Sequence, residues 1–340
     1  MEHNLYPLRM QPFYRYGEQT PWGGSALRDR FGKQIPDERT GEALEISAFP
    51  ATPSTVLNGE HAGKALPELV ALWGSELTGL EGGEFPLMLK LIDAKDMLSL
   101  QVHPGDEYAS LHEGGKRGKT EAWVILDAPH GAELVFGVSC GKDALREAID
   151  RGELEHALRF VKVAPGDVMY IPHGMVHALG SGILIYEIQQ SSDVTYRFWD
   201  WGRVDKEGNA RQLHTEKAFE VTNCELPGKK LSGATIICEG GSQTAFISDA
   251  NFELWRLNVA GKMPLAAGRM RFLTPLGPCK LHYGDGETME LSPLESVLVP
   301  AGLEGVSVEG KLPVLMSTTP DHDSLKQQLG YRADAVAGLL

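Results

Sequence analysis

The chain has 340 residues, enough for two domains or one large one, and its 42% apolar and 23% charged residues are those of a globular protein with a core of its own. A formal charge of −14 argues against a nucleic-acid partner, because phosphate backbones are held by basic surfaces; a few local cations would still hold a small phosphorylated ligand. Four cysteines (Cys140, Cys224, Cys238 and Cys279) form no C-x-x-C pair and read as reduced thiols, MEHNLYPLRM has no leader pattern, and no apolar run reaches membrane-spanning length, so a cytoplasmic protein without a membrane partner is expected.

In chain order, LPELVALWGSEL (66–77) has helical periodicity and is followed by strand patterns at LMLKLID (87–93), LSLQV (98–102) and EAWVIL (121–126). KDALREAIDRGELEHAL (142–158) reads as a second helix. Strands follow at DVMYI (167–171), ILIYEI (183–188) and ESVLVP (295–300), and the tail 324–340 reads as helix. Strands dominate and are punctuated by thirty-nine glycines and twenty prolines, which predicts a β-sandwich or barrel with helices as insertions. An internal repeat divides the chain. APGDVMYIPHGMVH (164–177) aligns without a gap on SPLESVLVPAGLEG (292–305), each copy a strand, a Pro-x-Gly turn and a second strand. Two related β domains in tandem are expected, and Gly305 in the second copy stands where His177 does in the first.

His173 and His177 are four apart, a spacing that on a helix would put both imidazoles on one face. Pro172 and Gly174 flank His173 and oppose a helix; in extended chain the two histidines lie roughly 13 Å apart, so one of them at most is a ligand. Gln101 and His103 are two apart on a strand and share a face, as do Lys119 and Glu121. With His177 added, the set is two imidazoles, a carboxylate and an amide oxygen, which suits Zn²⁺ with a position left open. Each residue also has an ordinary reading: His103 as a turn residue before proline, Glu121 and Lys119 as a solvated pair. The combination outweighs these, because ionisable groups at period two in apolar strands point into a barrel and need partners there. Further on, ILIYEIQQSSDVTYRFWDWGR places Glu187 mid-strand and Arg197 among aromatics, as an internal ion pair or as a site for an anion.

QVHPGDEYA, GKTEAW, IPHGMVHALG and YEIQQSSDVTYR, in this order, resemble the type I mannose-6-phosphate isomerases in their shorter bacterial form, and PWGGSAL, GEALEISAFP and FPLMLKLIDAKDMLSLQVHP fit the same family. The resemblance covers most of residues 10–205. It implies a mainly β fold of two tandem cupin (jelly-roll-like) barrels with helical insertions: residues 1–237 as the catalytic, metal-binding domain, 238–322 as a second cupin-like domain without a metal site, and 323–340 as a helical tail. It implies one Zn²⁺ per chain on His103, Glu121 and His177, with Gln101 as fourth ligand. The substrate would be a hexose 6-phosphate, interconverted between mannose and fructose forms through a cis-enediol, in a monomer or small homo-oligomer. Arg197, Lys119 and Glu187 match catalytic positions and Ser99 a substrate-binding one, while His173 stands where the family has a small residue. Three rival readings are a non-catalytic sugar-phosphate sensor, an iron oxygenase with a two-histidine, one-carboxylate site, and an isomerase of a related hexose phosphate. The oxygenase leaves Lys119, Arg197 and Gln101 without a purpose.

Overall fold

The computed structural model describes residues 4–82 and 85–339. The chain is mainly β with helical insertions and divides into two compact units, each discontinuous in sequence: Tyr14–Ala43 with Leu91–Lys230, and Met1–Phe13 with Leu44–Lys90 and Leu231–Leu340.

In the first of these units, a five-stranded antiparallel sheet runs in the order Tyr196–Trp199, Leu100–Val102, His177–Ala178, Glu133–Val138, Leu158–Lys162. A second sheet has Val168–Ile171, Glu121–Asp127 and Ile183–Gln190 as antiparallel neighbours. Leu134 and Phe136 from the first sheet and Trp123, Ile125, Met169 and Ile185 from the second belong to one buried cluster, so the core lies between them. Val135 and, past a register shift in the strand, Val138 face outward and are buried by the helices Lys142–Arg151 and Thr215–Val221 through Leu145, Ala218 and Phe219. Hence residues 134–138 read as an unbroken apolar run rather than an alternating one. The helical pattern of 142–158 stops at Arg151: Gly152 takes a left-handed φ of +70° and its N–H caps the carbonyls of Ala148 and Ile149. The chain then turns into the strand Leu158–Lys162.

In the other unit, an eight-stranded sheet runs in the order Ala234–Cys238, Gly241–Ser248, Glu253–Val259, Leu312–Thr318, Arg271–Pro275, Val297–Val299, Leu8–Gln11, Thr55–Val56. A four-stranded sheet comprises Lys262–Pro264, Ser307–Glu309, Cys279–Tyr283 and Glu287–Leu291. Trp255, Leu257 and Met316 from the larger sheet and Met263, Leu281 and Val308 from the smaller share one core, onto which the helix His322–Leu329 adds Leu325 and Leu329. The helix expected over 66–77 is two, Leu66–Trp73 and Ser75–Thr78, broken at Gly74 with φ +48°.

The two repeat copies match locally. Val168–Ile171 corresponds to Val297–Val299, and both are entered through a positive-φ residue at the same aligned place, Gly166 (+92°) and Leu294 (+57°). Each Pro-x-Gly turn leads into a second strand, His177–Ala178 and Ser307–Glu309. Among the described residues no helix is long and apolar enough to cross a membrane.

Candidate metal centre

Antiparallel register places the side chains. His177 lies opposite Gln101, and Gln101 lies opposite Arg197, so the three form one row across neighbouring strands of the five-stranded sheet. On the other sheet Glu121 is paired with Gln189 and Trp123 with Glu187, so Glu121, Trp123 and Glu187 share a face. The period-two pairs in the sequence therefore converge. Ligand atoms of His103, Glu121 and His177 lie within 4.8 Å of one another, and all three residues are buried. Glu121 Oε2 is 3.5 Å from His103 Nε2, Oε1 is 3.3 Å from His177 Nε2, and the imidazole centroids are 4.9 Å apart. Gln101 completes the rim, its amide nitrogen 3.2 Å from His177 Nε2, while Ser99 donates its hydroxyl to the Gln101 oxygen at 3.3 Å. A half-turn of a carboxamide exchanges its nitrogen and oxygen.

Two backbone carbonyls fix what the imidazoles offer. His103 Nδ1 lies 2.9 Å from the carbonyl oxygen of Val194, and His177 Nδ1 lies 2.9 Å from that of Met175. A carbonyl only accepts, so each Nδ1 carries a proton, and in the neutral imidazole each Nε2 then turns a lone pair toward Glu121. Two lone pairs and a carboxylate facing one another in a buried space repel unless a cation lies between them. The donor set suits a divalent metal of mixed nitrogen and oxygen ligation, and the carbonyl-fixed imidazoles are what such a ligand shell requires.

Part of the charge is met by Lys119, whose ammonium is 2.6 Å from Glu121 Oε2 and 3.3 Å from His103 Nε2. Burial works to lower the lysine's pKa, but the charges of Glu121, Glu187 and Glu42 outweigh it and hold it raised. Burial likewise works to raise the Glu121 carboxyl; the Lys119 charge opposes it, and the group is held well below the usual carboxylate range. His103 is pushed well below the ordinary imidazole value by burial and then by Lys119, so it stays neutral.

Arg197 stands at the end of the row, lowered by burial and by the neighbouring Arg211 charge, and its Nε is buried without a hydrogen-bond partner. Around it, Arg203 and Arg211 both reach Asp200 Oδ1. Glu187 is oriented by the indole of Trp123, which donates to Oε2 at 2.8 Å and stands edge-on to the His177 ring. His173 is exposed in its turn, its backbone N–H reaching Thr120, and lies outside the cluster. The sequence reading missed Trp123, although it lies two residues after Glu121 and so on the same face. It also missed Val194 and Met175, which act through their backbones and leave no mark on residue type.

Comparison with known proteins locates this architecture. The family model for the type I phosphomannose isomerase catalytic domain matches residues 10–138. The mannose-6-phosphate isomerase ManA of Bacillus subtilis is 38% identical over 313 residues, covering 92% of this chain and 98% of that protein. The mannose-6-phosphate isomerase of Streptococcus mutans is 36% identical over 299 residues, 87% of this chain and 94% of its own length. The crystal structure of the mannose 6-phosphate isomerase from Bacillus subtilis superposes with a TM-score of 0.85 at 36% identity, covering 92% of this chain and 99% of that one.

Proposed function

The chain belongs to the type I phosphomannose isomerases, and from that membership we propose that it interconverts D-mannose 6-phosphate and D-fructose 6-phosphate through a cis-enediol, with one zinc ion held at Glu121. It is an enzyme of the mannose-6-phosphate isomerase kind. The observation that supports the metal is the pair of Nε2 lone pairs aimed at a buried carboxylate, both imidazoles being fixed in that tautomer by backbone carbonyls. His103, Glu121 and His177 would hold the ion, with Gln101 as fourth ligand. When bound, zinc polarises substrate oxygens and so acidifies the neighbouring C–H.

The chain's own residues then have separable tasks. Conversion of the aldose to the ketose removes the proton from C2, leaves electron density on the C1 oxygen, moves the proton of the C2 hydroxyl to that oxygen, and returns a proton to C1. Arg197, with a buried N–H that lacks a partner, meets the negative oxygen as it forms. Lys119, kept protonated by Glu121, orients substrate oxygens and supplies a proton during ring opening. Glu187, outside the ligand set and held by Trp123, is the carboxylate we assign to carry the proton between carbons. Ser99 positions Gln101 and faces the substrate.

A coupled assay for fructose 6-phosphate formed from mannose 6-phosphate tests this reading. Turnover should vanish with chelator and return with Zn²⁺. No turnover by the fully zinc-loaded chain would leave a sugar-phosphate-binding protein instead.

A further inference from the structure

The second unit carries a charge that the isomerase reaction does not use. Arg271, Thr318 and Glu253 form one row across three neighbouring strands, with Arg271 opposite Thr318 and Thr318 opposite Glu253. The next row on that face is Leu273, Met316 and Trp255, all within the unit's apolar core. Arg271 therefore projects its guanidinium to the inner side of the β structure, where it is 3% exposed. Its Nη atoms donate to the backbone carbonyls of Ala266, Pro300 and Leu303. Carbonyls satisfy donors but bring no formal negative charge, and Nε keeps no hydrogen-bond partner at all. Among the described residues no carboxylate pairs with it. Burial and the neighbouring Arg269 charge both act on it, and both push it down, to about 10. Arg269, in contrast, is neutralised by Glu253 at 2.9 Å.

Both arginines line a cavity of about 260 Å³. Its walls include Trp255 and Met316, and Gln243 and Thr318 add polar groups. An apolar cavity with a few convergent polar groups is the ordinary form of a small-ligand site, and this volume admits only a compact ligand. A buried charge without a partner is costly, which a counter-ion in the cavity would relieve. One uncompensated guanidinium calls for one negative charge, which fits a carboxylate monoanion better than a phosphate dianion, and the unpartnered Nε–H is the donor left to meet it.

We propose that this cavity of the second unit is a binding site for a small carboxylate with a compact carbon body, held by Arg271 and packed on Trp255. The inference stands apart from the isomerase reading, since none of these residues belongs to that site.

Calorimetric titration of the full chain with gluconate, with benzoate and with inorganic phosphate tests it. At least one of the two carboxylates should bind at one per chain, and Arg271→Met should weaken it at least tenfold. Ala266→Trp, a change at an exposed residue lining the cavity, leaves the guanidinium in place and blocks the space; it should abolish the same binding with an unchanged KM for mannose 6-phosphate. This second variant carries the test should the first fail to fold. Absence of carboxylate binding, binding undiminished in both variants, or inorganic phosphate binding as tightly as the carboxylates would each overturn the proposal. A purely bracing role for Arg271 predicts altered thermal stability in Arg271→Met with no site for the variants to remove.

Discussion

Removing Arg197 and removing His177 should separate charge stabilisation from metal holding. Arg197→Ala takes away a half-buried cation whose Nε–H is buried and unpartnered, and leaves the His103, Glu121, His177 set intact. Turnover should fall by about 10²–10³-fold, the usual cost of one lost electrostatic donor, while the zinc content stays near one per chain. His177→Ala should instead lose the metal, as read by elemental analysis after dialysis; full zinc retention would refute the assignment of that ligand. A third residue-scale prediction concerns pH. His103 is held neutral in the fold, its pKa well below the ordinary 6.5, whereas in the unfolded chain it takes up a proton near that value. Below about pH 6.5 the unfolded state therefore binds more protons, and stability falls as the solution is acidified. The metal-free protein should lose more melting temperature between pH 7.5 and pH 5.5 than its His103→Gln variant. Equal losses would show that another group sets the acid limb.

At the scale of elements, the sequence carries periodicity and turns well and register poorly. The patterns at 87–93, 121–126, 167–171 and 183–188 mark strands because their apolar residues are branched or aromatic and are bounded by Gly, Pro or Asp; they form as Leu87–Ala94, Glu121–Asp127, Val168–Ile171 and Ile183–Gln190. Gln101 with His103, and Lys119 with Glu121, are legible as pairs because a strand's side chains repeat every second residue. That Gln101 lies opposite both His177 and Arg197 is a matter of pairing between distant segments, and nothing local encodes it. Nor does the sequence show that the second unit's large sheet is completed by Leu8–Gln11 and Thr55–Val56. Register also makes the site vulnerable at glycines beside it. A Cβ on Gly180, two residues past the strand bearing His177, would lie 1.7 Å from the carbonyl oxygen of Glu133, a backbone atom that has no rotamer to yield. Gly180→Ala should cost at least about 1–3 kcal/mol of stability by overpacking and, by shifting His177, weaken metal retention as well. Chemical denaturation paired with zinc analysis checks both; an unchanged midpoint would mean that the Glu133 carbonyl moves away freely.

Over the whole molecule, the formal charge of −14 is set against a local gathering of cations, Arg197, Arg203 and Arg211 near Asp200, which would draw in the anionic substrate of the proposed reaction. The buried cluster has the opposite character, a carboxylate facing two lone pairs with Lys119 as its cation, so a metal held there would couple its binding to folding. A metal that binds the folded chain and not the unfolded one adds about 2.7 kcal/mol at a hundredfold excess over its Kd. For units of this size each kcal/mol moves the melting temperature by about 2–4 °C, so stripping the metal should lower Tm by about 5–10 °C. The same treatment should leave the Tm of His177→Ala unmoved, because that variant has no metal to lose. A chelator effect of equal size in both proteins would place the stabilising ion elsewhere in the fold, and no effect in the wild-type chain would mean that the lysine alone balances Glu121.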